Sequence, residues 1–356
     1  MIETVIKAPL PVGEALTIQK NRITGKDAKS HRLVIVTGTH GDELEGQYVA
    51  WQLARVLKQK KDSMRGTVDI YPALNPLGIS TIYRGLPGFD LDMNRIFPGS
   101  RSETMYEYIA NGIIRDIKGA DLCIDIHASN IFLREIPQVR VNEKTARELV
   151  PLAKLLNMDY IWVHSAATVL ESTLAYSLNV IGTKTLVVEM GVGMRITQSY
   201  GDQLITGILS VMCQLGMLEE PAPDVKEPVI STDGSVAFIN ADASGFFMPQ
   251  VMHGEYVKKG QLVGFIADPL NGVTKEELFS PVDGMVFTLR EYPVVNEGSL
   301  IARILGDIGA KRKKTEALKA GDAVKTKTTS AVEKDIPVKM KRTSAAKKGG
   351  GCDEKS

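Results

Sequence analysis

Four short apolar runs, each followed by polar residues, constrain the fold of this chain more than any other feature. The runs lie near residues 32–37, 67–73, 121–126 and 184–189. Segments with apolar residues at helical spacing lie near 42–58, 101–117, 143–156 and 199–216. Strands that alternate with helices predict a three-layer α/β domain. Because such sheets place their sites at the carboxyl ends of the strands, one rim of the sheet should collect the polar residues.

The first apolar run leads into a turn that carries His40 and, three residues later, Glu43. From a turn that enters a helix, both side chains can reach one metal ion, as they do in zinc hydrolases. The His-x-x-Glu spacing also occurs by chance on many surface helices, so the pair alone is weak evidence. A metal site requires a third ligand from another part of the chain.

The third apolar run ends at His127, where a sheet of this kind would place a ligand. Taken alone, His127 is better explained as a core histidine with a satisfied hydrogen bond. Together with His40 and Glu43 it completes a three-ligand set. Asp125 lies two residues earlier, on the same face of the strand. Its carboxylate could accept the second imidazole N–H, a role that a backbone carbonyl often takes instead.

The fourth apolar run ends at Glu189. Burying an unpaired carboxylate is costly, so a purely structural role for this residue is poorly explained. Beside a metal site, a glutamate can take a proton from the attacking water and return it to the leaving nitrogen. The structural alternative is a strand-end glutamate that faces solvent or pairs with an arginine.

A loop rich in glycine and proline, residues 83–99, carries Arg84, Asn94 and Arg95. An arginine fork binds a carboxylate through two parallel hydrogen bonds, and a neighbouring asparagine adds a directional donor. This composition favours a carboxylate-binding loop. Ordinary surface salt bridges are the alternative for both arginines.

Five motifs in a fixed order are together far more specific than any one of them. They are His40-x-x-Glu43, Asn75-Pro76-x-Gly78, Asp92-Met93-Asn94-Arg95-x-Phe97-Pro98-Gly99, Asp125-x-His127 and Glu189-x-Gly191. From about residue 10 to about residue 306, the chain resembles the succinylglutamate desuccinylase/aspartoacylase family, a branch of the zinc carboxypeptidase superfamily. The resemblance implies a three-layer zinc-carboxypeptidase-like α/β domain with a mixed sheet.

The resemblance also implies the parts of a zinc site. One Zn²⁺ per chain would be held by His40, Glu43 and His127. Glu189 would be the general acid and base. These assignments carry the family's roles onto matching positions of this sequence.

For the substrate, the resemblance implies that Asn94 and Arg95 grip a carboxylate and that Arg84 polarises the scissile carbonyl. The implied reaction is hydrolysis of the amide bond of an N-acyl amino acid or a related N-acylated small molecule. A zinc carboxypeptidase that acts on short peptides is one alternative. A catalytically silent zinc-binding protein that acts through its β domain is another.

The sequence changes character after an acidic, proline-rich segment at 219–224. Short strand-like runs separated by glycines predict a small all-β domain, similar to a barrel-sandwich or hammerhead fold. The region 268–275 lacks the lysine context of a biotinyl or lipoyl carrier, which favours a structural or gating role. The predicted domains are therefore a zinc hydrolase domain at 1–222 and a small β domain at 223–308.

Three histidines and one tyrosine lie outside the predicted ligand set. His253 and Tyr292 fall on loops of the β domain and could overhang the cleft, although surface positions are the better explanation. His164 follows an apolar run and is a candidate for the lining of the cleft. His31 begins its strand, at the end opposite the site.

The sequence predicts a Lys-rich, disordered tail at 309–356. From Lys311 onward the chain has 14 Lys or Arg against 6 Asp or Glu and no aromatic residue. Such a tail has nothing to stack on a base, and the remaining chain is acidic, so no nucleic-acid partner is expected. An interaction protein driven by the tail is a remote alternative.

Composition sets the remaining expectations. No apolar stretch is long enough to span a membrane, and no secretory signal is visible. The three cysteines are scattered and odd in number, which fits free thiols in the cytoplasm. The expected partner is a small-molecule N-acyl amino acid, with no membrane partner. A homo-oligomer is possible.

Overall fold

The computed structural model of the chain describes residues 1–165 and 171–306. Its strands are β1 (Ile2–Pro9), β2 (Ala15–Thr24), β3 (Arg32–Thr37), β4 (Thr67–Tyr71), β5 (Leu122–His127), β6 (Leu133–Asn142), β7 (Tyr160–His164), β8 (Thr185–Gly191), β9 (Val229–Thr232), β10 (Val236–Asn240), β11 (Gly245–Pro249), β12 (Tyr256–Val257), β13 (Leu262–Asp268), β14 (Val273–Phe279), β15 (Gly284–Arg290), β16 (Val294–Val295) and β17 (Leu300–Gly306). Its α-helices are α1 (Glu45–Gln59), α2 (Pro76–Thr81), α3 (Met105–Ile117), α4 (Ala146–Ala153), α5 (Leu174–Val180) and α6 (Gln198–Gln214).

Most strands belong to one thirteen-stranded mixed sheet, in which the order β1-β2-β4-β3-β5-β8-β6-β15-β17-β10 forms the main path. The four central strands β4, β3, β5 and β8 are parallel. They correspond to the four apolar runs of the sequence. β6 is antiparallel to β8 and connects the parallel centre to the C-terminal strands. The predicted α/β fold with a mixed sheet is confirmed.

Helices cover both faces of the parallel centre. On β3, Leu33 and Ile35 pack into a core with α1, α4 and α6. Val34 and Val36, on the other face, pack into a core with α3 and α5. All four side chains are fully buried. A parallel strand covered on both faces is apolar at nearly every position, which explains why the sequence identified these strands readily.

The C-terminal part is antiparallel β-structure, as the sequence predicts. A second sheet has the order β14-β13-β11-β16, and its core contains Phe247, Val263 and Ile266. The large sheet also runs through this part, because β15 pairs with both β6 and β17. The predicted limits at 222 and 308 remain predictions. The predicted tail, 309–356, lies outside the described residues.

Among the helices that begin later than the sequence predicts, two have a clear local reason. α1 begins at Glu45 rather than near residue 42, because the preceding residues form the turn that carries His40 and Glu43. α3 begins at Met105 rather than near residue 101. Thr104 and Glu107 form a capping box there, which satisfies the first backbone donors of that helix.

β6 has no counterpart among the predicted strands. Pro137 interrupts its pattern, and proline normally argues against a central strand because it cannot donate to the ladder. In the structure, Pro137 lies at the register shift between Glu135 and Gln138, where the pairing with β8 is irregular.

Among the described residues, no helix is long and apolar enough to cross a membrane.

Candidate metal and catalytic site

Three buried side chains meet at the carboxyl ends of β3 and β5. His40 and Glu43 lie in the turn after β3, and His127 is the last residue of β5. One ligand atom from each lies within 4.8 Å of the others. Nδ1 of His127 hydrogen-bonds Oε2 of Glu43 at 2.9 Å, and Nδ1 of His40 lies 2.7 Å from Oε1. Two imidazoles and one carboxylate are a donor set that suits zinc.

Each of the two imidazoles has a second carboxylate at its other nitrogen. Nε2 of His40 hydrogen-bonds Oδ1 of Asp92 at 3.0 Å, and Nε2 of His127 lies 3.1 Å from Oδ2 of Asp125. Such outer carboxylates orient the imidazole and make it a better metal ligand. The sequence suggested Asp125 for this role and missed Asp92. The only signal for Asp92 was its place at the start of the Asp-Met-Asn-Arg motif.

The charges in this cluster favour an anionic Glu43. Burial alone would raise the pKa of Glu43, but His40 and His127 hold it well below its usual range. The amide N–H of Ala128 donates to Oε2 at 3.1 Å, and Nη1 of Arg84 donates to Oε1 at 2.6 Å. The carboxylate is thus charged and held in place, as a metal ligand must be.

The Asn75-Pro76-x-Gly78 motif supports the turn that carries the ligands. A side chain at Gly41 would collide with the backbone of Gly78, so glycine is required for this close approach. The Asn75 side chain accepts from the Gly78 N–H and donates to the Gly85 carbonyl oxygen. The motif therefore has a structural explanation.

Arg84, Asn94 and Arg95 all line the same cavity as the ligand cluster. Arg84 already pairs with Glu43. The Asn94 side chain accepts from the N–H of Leu174, at the start of α5, at 2.9 Å. Arg95 donates to the Asn94 carbonyl at 2.8 Å, which leaves the rest of its guanidinium at the cavity wall. Their predicted roles toward substrate remain predictions.

Glu189 lies on β8, in register with His127 on β5. Oε1 of Glu189 is 3.2 Å from Nη1 of Arg140, on β6. Burial raises the pKa of Glu189 to about 7, even though Arg140 and His127 favour its charged form. A carboxyl group with this pKa can both accept and donate a proton near neutral pH, which suits a general acid and base.

A buried ion network that the sequence did not reveal lies behind Glu189. At its centre is Glu135 on β6, whose side chain is only 1% exposed. Glu135 accepts from Nη2 of Arg140 at 2.7 Å and from Nη1 of Arg303 at 2.6 Å. Because Arg303 belongs to β17, the C-terminal β-structure reaches the network that contacts Glu189. The sequence could not show this, since it depends on pairing between distant strands.

The cavity has a volume of about 510 Å³. All seven residues predicted for metal binding, catalysis or substrate binding are among its lining residues, and His164 also lines it. His253 and Tyr292 are not among the described residues that line it. His253 hydrogen-bonds the Phe287 carbonyl, and Tyr292 packs against Phe132.

Comparisons with known proteins agree with this fold. Residues 29–215 match the model of the succinylglutamate desuccinylase/aspartoacylase catalytic domain. The N-alpha-acetyl-L-2,4-diaminobutyric acid deacetylase of Halomonas elongata is 25% identical over 280 residues, which cover 76% of this chain and 81% of that protein.

Two solved structures share the fold. A succinylglutamate desuccinylase/aspartoacylase from Rhodobacter sphaeroides has a TM-score of 0.73 at 22% identity, covering 86% of this chain and 95% of its own. The product-bound ectoine utilization protein EutE (DoeB) from Ruegeria pomeroyi has a TM-score of 0.74 at 20% identity, with coverage of 86% and 95%. Since the family model spans more than half of the chain, this protein belongs to the succinylglutamate desuccinylase/aspartoacylase family.

Proposed function

We propose that this protein is a zinc-dependent hydrolase that cleaves the amide bond of an N-acyl amino acid or a related N-acylated small molecule. The observation that carries the proposal is the buried group of His40, Glu43 and His127, which shares a cavity with Glu189, a glutamate of pKa about 7. Membership of the family and the similarity to a diaminobutyric acid deacetylase support a deacylase.

His40, Glu43 and His127 would hold the zinc ion. The outer aspartates of both histidines and the charged state of Glu43 support this assignment. When bound, zinc supplies a Lewis acid that polarises the acyl carbonyl and makes water acidic enough to attack near neutral pH.

The remaining steps belong to the side chains. Glu189 takes a proton from the attacking water on a carboxylate oxygen and delivers it to the amide nitrogen as the amine leaves. Arg140 holds this carboxylate in place. Arg84 donates to the acyl oxygen as negative charge develops on it. Arg95 and Asn94 bind a carboxylate of the substrate, and the products are a carboxylate and a free amine.

The proposal includes a small-molecule substrate and a cytoplasmic location, which the free thiols of Cys123 and Cys213 favour. Homo-oligomerisation remains a prediction. Arg303, which belongs to the β-structure, lines the catalytic cavity. This argues against a catalytically silent zinc protein whose β domain acts on its own.

The test is release of free amine by the zinc-loaded protein from N-acetyl and N-succinyl amino acids and from short peptides with free C-termini. We expect release from N-acyl amino acids. Glu189→Gln should lower the rate by roughly two to four orders of magnitude, because it removes the proton acceptor, and should leave the zinc content unchanged. Release from peptides alone would indicate a carboxypeptidase. No release from any compound would favour the silent protein.

A further inference from the structure

Two guanidinium groups lie close together behind Glu189. Arg140 contacts Glu189, and both Arg140 and Arg303 bond Glu135. The Nε atoms of the two arginines are buried and have no hydrogen-bond partner among the residues that the structure describes. Like charges that share one carboxylate repel each other, and a buried donor without an acceptor is costly. The pair therefore requires a further group that stabilises positive charge.

The indole of Trp162 lies against both guanidinium groups. Trp162 is on β7, in register with Arg140 on the neighbouring β6. The centre of its ring is 5.7 Å from Cζ of Arg140 and 5.6 Å from Cζ of Arg303. The face of an aromatic ring carries partial negative charge, so it attracts a cation within about 6 Å of its centre. One side chain thus stabilises both cations.

Neighbouring groups fix the position of this indole. Its Nε1 atom donates to Oδ1 of Asp233 at 2.7 Å, and the ring of Phe287 packs edge-on against it. Tyr160, two residues earlier on β7, stacks beside it with ring centres 6.3 Å apart. Trp162 is not among the described residues that line the cavity. Any effect of Trp162 on the substrate would therefore pass through the two arginines.

A second ring lies beside Arg303. Phe238, on β10, is in register with Arg303 on β17, and its ring centre is 5.8 Å from Cζ of the arginine. Burial and the charge of Arg140 lower the pKa of Arg303, even though Glu135 favours its charged form. Aromatic faces beside this guanidinium offset part of the cost of burying its charge.

We propose that Trp162 is a positioning residue, whose indole holds the guanidinium groups of Arg140 and Arg303 together and keeps Arg140 beside Glu189. This inference rests on the proposed function. The indole matters most while Glu189 holds the proton taken from water, because Glu135 is then the one charged partner that the two arginines share. Loss of the indole should therefore change kcat rather than KM.

The fluorescence of Trp162 tests the contact without turnover. Trp51 and Trp162 are the two tryptophans of the chain, and Trp51 is exposed on α1. Trp51→Phe in the full-length protein leaves Trp162 as the only tryptophan. In this background, Arg303→Met should shift the emission maximum of Trp162, because it removes a charge next to the indole. Arg290→Met is the matched control, since Arg290 packs against Phe132, and should leave the emission unchanged.

Steady-state kinetics on the zinc-loaded full-length protein tests the positioning role. Trp162→Leu should lower kcat by about tenfold and keep KM within about twofold, because the arginines lose the ring while the substrate contacts remain. Trp162→Phe keeps an aromatic face and should restore most of kcat. Tyr160→Phe is the control for stability. It loses a buried hydrogen bond to Ser231 and should lower the unfolding temperature without a fall in kcat.

A double-mutant cycle asks whether Trp162 acts together with Arg303. The fall in kcat for Trp162→Leu combined with Arg303→Met should be smaller than the product of the two single falls, since both changes disrupt one arrangement. Falls that multiply would show that Trp162 only packs the fold. If Trp162→Leu fails to fold, Phe238→Leu decides, because Phe238 is exposed. It should lower kcat by about threefold, and an unchanged kcat would overturn the proposal.

Unchanged emission in Arg303→Met would overturn the proposal, as would a wild-type kcat in a folded Trp162→Leu. The amine-release test separates this inference from the proposed function. Hydrolysis by the wild type with an unchanged kcat in Trp162→Leu contradicts the positioning role alone. Absence of hydrolysis by the wild type contradicts the proposed function itself, and the emission shift still decides whether the indole contacts Arg303.

Discussion

Both carboxylate oxygens of Glu43 are engaged by neighbouring groups. One oxygen lies against His40 and Arg84, and the other against His127 and the Ala128 N–H. The contact with Arg84 was not part of the sequence prediction, which assigned that residue to the scissile carbonyl. An arginine that pairs with a metal ligand can still donate from its other nitrogens, since the guanidinium has five N–H groups.

Substitutions of Arg84 and Arg95 should therefore change different kinetic parameters. Arg95→Lys should raise KM for a carboxylate-bearing N-acyl substrate by about tenfold or more, because lysine cannot reproduce bidentate binding, with a smaller effect on kcat. Arg84→Lys should mainly lower kcat, also by about tenfold, because its partner charge develops in the transition state. Steady-state kinetics with zinc quantified in each preparation measures both effects.

Arg101→Lys is the matched control, since Arg101 is an exposed arginine just beyond the same loop. It should behave as wild type. If Arg84→Lys and Arg95→Lys both retained the wild-type kcat/KM, the two arginines would be structural and the carboxylate clamp would be wrong.

At the scale of elements, the sequence predicted the strands at the parallel centre of the sheet and the site residues at their ends. β3, β5 and β8 are buried on both faces, so each reads as an apolar run, and the site residues follow from the strand ends. The sequence did not predict β6, because Pro137 interrupts its apolar pattern. Arg140 and Glu135 lie on β6, so the network behind Glu189 was missed together with its strand.

On the proposed function, that network would make β17 part of the catalytic machinery through Arg303. Arg303→Met should lower kcat by about tenfold with little change in KM. The physical reason is that Glu135 would keep only Arg140 as a guanidinium partner, which draws Arg140 away from Glu189. Arg303→Lys keeps the charge and should restore most of kcat.

Arg290→Met separates this effect from a loss of stability. Arg290 lies on the neighbouring β15 and donates to the backbone carbonyls of Leu300 and Val294, without a bond to Glu135. It should lower the unfolding temperature without a fall in kcat. A parallel fall in kcat for Arg290→Met and Arg303→Met would show that the network only stabilises the fold.

At the scale of the whole molecule, the large sheet joins regions that the sequence described separately. The sequence predicted an α/β part and an all-β part, and both are present. The pairing of β15 with β6 is what brings Arg303 toward the catalytic cavity. Such pairing between residues far apart in the chain leaves no periodic trace in the sequence, so the contribution of the β-structure could not be predicted.

The central claim is that His40, Glu43 and His127 together hold one zinc ion. Its most direct test is the zinc content per chain, by mass spectrometry after dialysis, of the wild type and of His127→Ala. His31→Ala is the control, because His31 lies at the opposite end of β3. We predict about one zinc per chain in the wild type and in His31→Ala, and a small fraction of that in a folded His127→Ala. A folded His127→Ala that retains a full equivalent of zinc would contradict the account.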